Sequence, residues 1–366
     1  MYTPKEKILT SGSKLTNFEY QYVKEALDTT GTAHFNDFIK RFEDAMAKYT
    51  GAKYAIATNS GTSAMHLGLA ALGIGHGDEV ILPDMTYISC ANVIHYVGAK
   101  PVFVDIDPLT WCIDPESILK AITPKTKAIL TVCMYGNMPN MDKILEIAKK
   151  HNLKVIEDAC PAVGTFYKKK HAGTIGDVGA FSFQGAKILA IGEGGMAVTN
   201  DKKIAKRIRK LQIDGRSLNR EFWHDEIGYI YLMSNIQAAL GLGQLEHIEE
   251  MVAKKQQIFQ WYNQNLASLI KNGHISMNTT LKGVRSNYWM PSIIVKDRNK
   301  VRKHLHQSQI DTRPFFYPIS DFGLYKARFK TPHSHYIGSH GINLPGSVNL
   351  TKNQIDYICQ KIKEVA

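Results

Sequence analysis

GAFSFQGAKILAIGEGGMAVT, residues 179–199, sets two short apolar runs around a glycine-rich loop. The runs, GAFSF (Gly179 to Phe183) and GMAVT (Gly195 to Thr199), predict two strands of a hairpin. The loop between them is almost free of charge. Yet it carries Lys187, with Ser182 five residues before it and Glu193 six after. Alone, such a lysine reads as a stem laid on apolar surface with its head in water.

Upstream of the hairpin, buried-strand patterns recur: KYAIAT (Lys53 to Thr58), EVILPD (Glu79 to Asp84), PVFVDID (Pro101 to Asp107), KAILTV (Lys127 to Val132) and KVIEDA (Lys154 to Ala159). Helical patterns lie between them, at Thr62 to Leu72, Ser89 to Val97 and Asp142 to His151. The alternation predicts an α/β fold, a mostly parallel seven-stranded sheet sandwiched by helices. The texture changes after about Gln237. A long helical pattern (Asn235 to Ala267) leads to MPSIIV (Met290 to Val295), a helix at Arg298 to Ser308, the segment DTRPFFYP and a C-terminal helix. Two domains are expected: a large one over 1–240, N-terminal segment included, and a smaller α+β one over 241–366.

At 366 residues the chain can bury more than one core. Hydrophobic residues make up 44% and charged residues 21%, as in ordinary water-soluble chains. The N-terminal MYTPKEKILTSGSK has no apolar signal core, so secretion is not expected. AMHLGLAALGIG (Ala64 to Gly75) is too short for a membrane span. Cys90, Cys112, Cys133, Cys160 and Cys359 show no metal or redox spacing, which fits reduced thiols and a cytoplasmic location. The net charge of +12 gathers partly in YKKKH (Tyr167 to His171) and KKIAKRIRK (Lys202 to Lys210). No aromatic-interleaved motif accompanies these runs, so they read as solvated faces and no nucleic-acid partner is expected. A basic surface still draws in anionic small molecules.

Two further stretches carry chemistry. EDA (Glu157 to Ala159) ends a strand, where ligands of such sheets bind. Asp158 has no His or carboxylate nearby at metal-ligand spacing, so no metal is expected. NSGTSA (Asn59 to Ala64) follows a strand and opens a helix; its amides suit either an anion or an ordinary cap. Taken together, the pieces become specific. The amides of Gly61, Thr62 and Ser63 with the Ser182 hydroxyl form a phosphate cup. Asp158 pairs with a ring nitrogen. Lys187, poorly solvated, is a nucleophile toward a carbonyl. A phosphorylated aldehyde with a ring nitrogen is pyridoxal 5'-phosphate, and its chemistry needs this trio.

These motifs resemble the DegT/DnrJ/EryC1/StrS family of pyridoxal-phosphate-dependent sugar aminotransferases. The likeness spans nearly the whole chain, through NSGTSAMHLGLAALGIGHGDEVILPDMTYIS, VIEDACPAVGTFYKKKHAGTIGDVGAFSF, KILAIGEGGMAVTND, MSNIQAALGLGQLE and DTRPFFYPIS. FWHDEIGY (Phe222 to Tyr229) and DTRPFFYP (Asp311 to Pro318) are similar to its GDP-perosamine synthase branch. The resemblance implies the fold-type I aminotransferase architecture and a homodimer with shared active sites. It implies that Lys187 bonds to the cofactor and later shuttles a proton, and that Asp158 keeps the ring nitrogen protonated. Tyr87 would stack on the ring. Gly61, Thr62 and Ser182 would hold the phosphate, joined by Asn235 of the neighbouring subunit. Gln184, Arg313 and Tyr317 would face substrate, and Glu193 would shape the lysine loop.

The expected reaction moves the amino group of L-glutamate to a keto carbon of a carbohydrate-type acceptor, a nucleotide-linked 4-keto-6-deoxy sugar, in surface (capsule-type) polysaccharide biosynthesis. Four departures from the family pattern lie in segments expected to border or support the acceptor pocket: Pro161 in place of Gln or Glu, Ile230 and Leu232 in GYIYLM, Gly31 at a Trp position, and CMYG (Cys133 to Gly136) in place of HLYG. They motivate a second acceptor class, a small phosphorylated ketone such as dihydroxyacetone phosphate. A sugar dehydratase would carry His at the lysine position. The intact Lys187, Asp158 and Ser182 also argue against a non-catalytic protein.

Overall fold

The structure, a computed structural model, describes residues 4, 6–217 and 219–366. Its first nine strands are β1 (Tyr54–Thr58), β2 (Glu79–Pro83), β3 (Lys100–Val104), β4 (Thr126–Val132), β5 (Lys154–Asp158), β6 (Phe166–Tyr167), β7 (Lys170–His171), β8 (Val178–Ser182) and β9 (Gly195–Thr199). Seven of them form one sheet in the order β1-β9-β8-β5-β4-β2-β3. From β3 across to β8 every pair is parallel; β9 is antiparallel to both β8 and β1. The expected mostly parallel seven-stranded sheet is therefore present, and its hairpin is the pair β8–β9.

Parallel strands are buried on both faces, which is why they read as unbroken apolar runs. Alternate side chains serve two cores. Ile81, Ile129 and Val155 pack with Phe42 and Met46 of α2 (Asp37–Thr50) and Ala238 of α8 (Asn235–Glu246). Val80, Leu130 and Ile156 pack with Leu67 of α3 (Gly61–Ala71), Val93 of α4 (Ser89–Tyr96) and Ile208 of α7 (Lys202–Leu211). The remaining helices of this half are α1 (Asn17–Asp28), α5 (Pro115–Ala121) and α6 (Met141–His151).

The long helix expected over 235–267 is broken. It divides at His247, whose φ of −122° leaves the helical range, into α8 and α9 (Ile248–Asn265). The cause is a buried acid: Glu19 Oε1 lies 2.6 Å from His247 Nε2 and accepts from Gln244 Nε2 at 2.6 Å. Satisfying a carboxylate in the core takes precedence over one turn of regular helix.

After α10 (Ala267–Lys271) come β10 (Ile275–Met277), β11 (Val284–Arg285), β12 (Ser292–Val295), α11 (Arg298–Gln307), β13 (Arg313–Pro314), α12 (Pro332–His340), β14 (Gly341–Asn343) and α13 (Lys352–Lys363). An antiparallel sheet, β10-β12-β14-β13, packs on α9, α11 and α13 through Ile258, Leu305 and Ile358. Ile8 belongs to this third core. Its N–H donates to Gln309 O at 2.9 Å, and its carbonyl accepts from Asp311 N at 2.8 Å.

Candidate active site

A cavity of about 460 Å³ opens where β4 and β5 end, beside the start of α3 and the 183–194 loop. Val132 and Asp158, the last residues of those strands, line it together with Gly61, Thr62, Tyr87, Ser182, Gln184, Lys187 and Glu193. Sheet ends leave such crevices because the covering helices start and stop there.

The loop that carries Lys187 is held to itself and to the C-terminal half. Phe183 N donates to Gly194 O, Ile191 N to Phe183 O and Gly185 N to Gly192 O, each at 2.9 Å. Gly192 closes the loop at φ +86°, a conformation that L side chains avoid. Trp289 Nε1 donates to Ala186 O at 2.7 Å. The half-buried Lys187 places its Nζ 3.8 Å from the centre of the Trp289 ring. Among the described residues, that amine makes no hydrogen bond. Burial pushes its pKa down, opposed by Cys160, Asp158 and Cys90. A lowered amine pKa raises the fraction of free nucleophile at neutral pH.

The two acids at the end of β5 have opposite tasks because strand side chains alternate. Glu157 is fully buried and accepts from the amides of Gly173, Ile175 and Gly176 at 2.9, 2.7 and 2.6 Å. It pins the loop before β8. Asp158, also buried, faces the cavity; its Oδ1 accepts from Cys160 N and its Oδ2 from Cys90 Sγ, both at 3.1 Å. Burial, and then Asp158, push the Cys90 thiol well up, so it stays a donor.

The start of α3 requires glycine. A Cβ on Gly61 would come within 2.6 Å of Cys160 Sγ and 2.8 Å of Ser182 Cβ. A Cβ on Gly195 would lie 2.3 Å from the Ser60 carbonyl carbon. These contacts bring the first amides of the helix, which have no intrahelical acceptor, beside Ser182. Ser63 departs from the expected cup. Its amide is capped by Ser60 Oγ at 3.1 Å, and its hydroxyl donates to Asn59 Oδ1 at 2.6 Å. Helix capping thus uses Ser63, and it is not on the cavity wall.

Opposite stands an aromatic wall. Tyr87 is 57% exposed, with its ring 5.7 Å from that of Phe316. Phe316 stacks on Tyr135 at 5.5 Å, and its amide donates to the Tyr135 hydroxyl at 3.1 Å. Arg313 and Tyr317 are not brought to this wall within one protomer. Arg313 points outward near Asp311, at 3.4 Å, and the Tyr317 ring lies under Arg298. Asn235 is also outside the cavity: its Oδ1 accepts from Phe38 N at 3.0 Å, and its buried Nδ2 has no partner among the described residues. Of the departing positions, Pro161, Met134 and Tyr135 line the cavity. Ile230 and Leu232 are solvent-facing, and neither they nor Gly31 touch it. Sequence reasoning missed Trp289, Phe316 and the donors from Cys90 and Cys160. Cys160, two places after Asp158, was the one with a local signal.

Among the described residues no group of three or more His, Cys, Asp or Glu is placed to hold a metal, and no helix is long and apolar enough to cross a membrane. A buried carboxylate suits a protonated ring nitrogen, a poorly solvated amine an aldehyde, and free helix-start amides a phosphate. Pyridoxal 5'-phosphate bears all three on one small ring, and the class of protein is a pyridoxal-phosphate-dependent aminotransferase. More particularly, the chain belongs to the DegT/DnrJ/EryC1/StrS aminotransferase family, whose model matches residues 13–363. It is 43% identical over 354 residues to the GDP-perosamine synthase of Escherichia coli O157:H7, covering 96% of each chain. It is 42% identical over 367 residues to that of Caulobacter vibrioides, covering 98% of each. Among solved structures it is similar to DesV of S. venezuelae, with a TM-score of 0.91 and 28% identity over 98% of each chain.

Proposed function

We propose that this aminotransferase takes the amino group of L-glutamate and delivers it to the keto carbon of a nucleotide-linked 4-keto-6-deoxy sugar, for surface polysaccharide. The observation that carries the reading is the 43% identity, over 96% of the chain, to a GDP-perosamine synthase. That likeness favours a nucleotide sugar over a small ketone phosphate.

In this reading the bound cofactor supplies an electron sink for the carbon that exchanges its amine. Lys187 holds the cofactor aldehyde and moves a proton at the reacting carbon. Asp158 keeps the ring nitrogen protonated and is itself oriented by Cys90 and Cys160. Gly61, Thr62 and Ser182 bind the phosphate, while Tyr87 covers the ring. Gln184 and Phe316 border the space left for substrate. Two protomers form a cytoplasmic dimer, in which Asn235 serves the neighbour's cleft, while the segment of Arg313 and Tyr317 approaches the substrate side. The large domain ends near residue 240 and the small one follows over 241–366, with the segment at Ile8 packing on the latter.

The test is transfer from 15N-glutamate to a panel of GDP- and dTDP-linked 4-keto-6-deoxy sugars and dihydroxyacetone phosphate. Label in a nucleotide sugar is expected, as is a borohydride-reducible visible band that Lys187→Ala lacks. Label only in the ketone phosphate overturns the acceptor; a protein that stays colourless with added cofactor overturns the mechanism.

A further inference from the structure

We infer that Trp289 is the resting seat of the Lys187 amine, holding its ammonium form on the indole face whenever that amine is not bonded to the cofactor. The inference rests on the reading of Lys187 given above, because an amine released in each cycle has to be kept in place to take the cofactor back.

The geometry is specific. Nζ lies 3.8 Å above the ring, within the range of a cation–π contact, and has no hydrogen-bond partner among the described residues. The same indole grips the neighbouring residue through Nε1 and Ala186 O at 2.7 Å, so one side chain fixes both the lysine head and its backbone. Trp289 is 7% exposed, and its own backbone is clamped at both ends. Its amide donates to Asn287 Oδ1 at 2.9 Å, and the Asn287 amide group donates to Pro161 O and Val163 O at 2.9 and 2.8 Å. Its carbonyl accepts from the buried Lys255 Nζ at 2.9 Å. Asn287 thereby ties the indole to the segment that follows Asp158, and Lys255 ties it to α9. A ring held so firmly is a platform rather than filler.

The ionisable groups facing the amine are Asp158 at the end of β5, Cys160 in the next loop and Cys90 on α4, and burial keeps both thiols protonated and neutral. Glu193, Tyr87 and Tyr135 are the other ionisable groups on the cavity wall. Against that set, the indole adds attraction for the charged form alone. Leucine or methionine at 289 keeps the surroundings apolar and removes the attraction, so the amine should lose its proton at lower pH.

The experiment measures acetylation of Lys187 by acetic anhydride as a function of pH. It uses full-length protein freed of cofactor by hydroxylamine, with the modified peptide quantified by mass spectrometry. In Trp289→Leu the midpoint of reactivity is expected to fall by roughly one pH unit, the scale of a desolvated cation–π contact. Trp289→Phe, which keeps a ring face, should titrate between this variant and the parent. Trp289→Met replaces the leucine variant if circular dichroism shows that the latter does not fold. A folded, ring-less variant that titrates with the parent overturns the inference. No cofactor or substrate enters this measurement, so its failure is separate from any failure of the transamination assay.

Discussion

The thiol of Cys90 donates to Oδ2 of Asp158 across 3.1 Å, and burial keeps that thiol protonated. With Oδ1 held by Cys160 N, the carboxylate has one fixed orientation. Cys90→Ser keeps a donor, whereas Cys90→Ala removes it and leaves a small void. The alanine variant should bind pyridoxal phosphate several-fold more weakly, about 1 kcal/mol, and the serine variant nearly as the parent. Spectroscopic titration of cofactor-free protein reads both; equal affinities in all three would deny the thiol an orienting role.

Gly61→Ala tests the close approach of α3 to its neighbours. The new methyl meets Cys160 Sγ at 2.6 Å and Ser182 Cβ at 2.8 Å, so either the helix start or Ser182 must move. Overpacking of this kind costs about 1–3 kcal/mol. Cofactor affinity should fall about tenfold or more, while the far-ultraviolet spectrum is kept. Unchanged affinity would show that the helix start takes no part in holding the phosphate.

His171 gives a stability signature in acid. Its Nε2 accepts from Gly164 N at 2.8 Å and its Nδ1 donates to Ala172 O at 2.7 Å, which requires the neutral ring. Burial pushes its pKa down to about 4. The unfolded chain takes up this proton below about pH 6.5, before the folded chain does, so stability falls from there down to about pH 4. The full swing is about 3 kcal/mol. Urea unfolding at several pH values should show this slope in the parent and a flatter one in His171→Gln, which keeps a donor and an acceptor without titrating there.

Lys255 acts in the opposite pH range. Burial pushes its pKa down to about 7, and in the neutral form its amine still has two N–H groups for the carbonyls of Trp289 and Gly346. The unfolded chain keeps the proton up to about pH 10.4, so the parent gains stability as pH rises from about 7 toward 10. Lys255→Met lacks that gain. The difference in melting temperature, parent minus variant, should therefore move in favour of the parent between neutral and alkaline pH. A constant difference would mean that Lys255 stays charged in the fold.

The central sheet was legible because strands buried on both faces leave unbroken apolar runs, and β1 to β5 stand close to where those runs lie. The meeting of Lys187, Asp158 and Ser182 on one cavity wall was legible because each sits in a local pattern at a strand end or in a glycine loop. Ser63 was misjudged because spacing alone does not say that Ser60 and Asn59 use its polar groups. Trp289 and Phe316 were invisible: they meet the lysine and Tyr87 only through folding, more than a hundred residues away in the chain. The break at His247 was hidden for the same reason, since its cause, Glu19, is 228 positions distant. Two-residue strands such as β6 and β13 are too short to carry any period.

The pairing of Ile8 with Gln309 and Asp311 has a consequence for biosynthesis of the chain itself. Ile8 leaves the ribosome well ahead of the partners that hold it. It must wait, uncommitted, through the translation of some three hundred residues before its partners emerge. Docking of this segment is thus a late event, and a polypeptide halted before Gln309 has nowhere to seat Ile8.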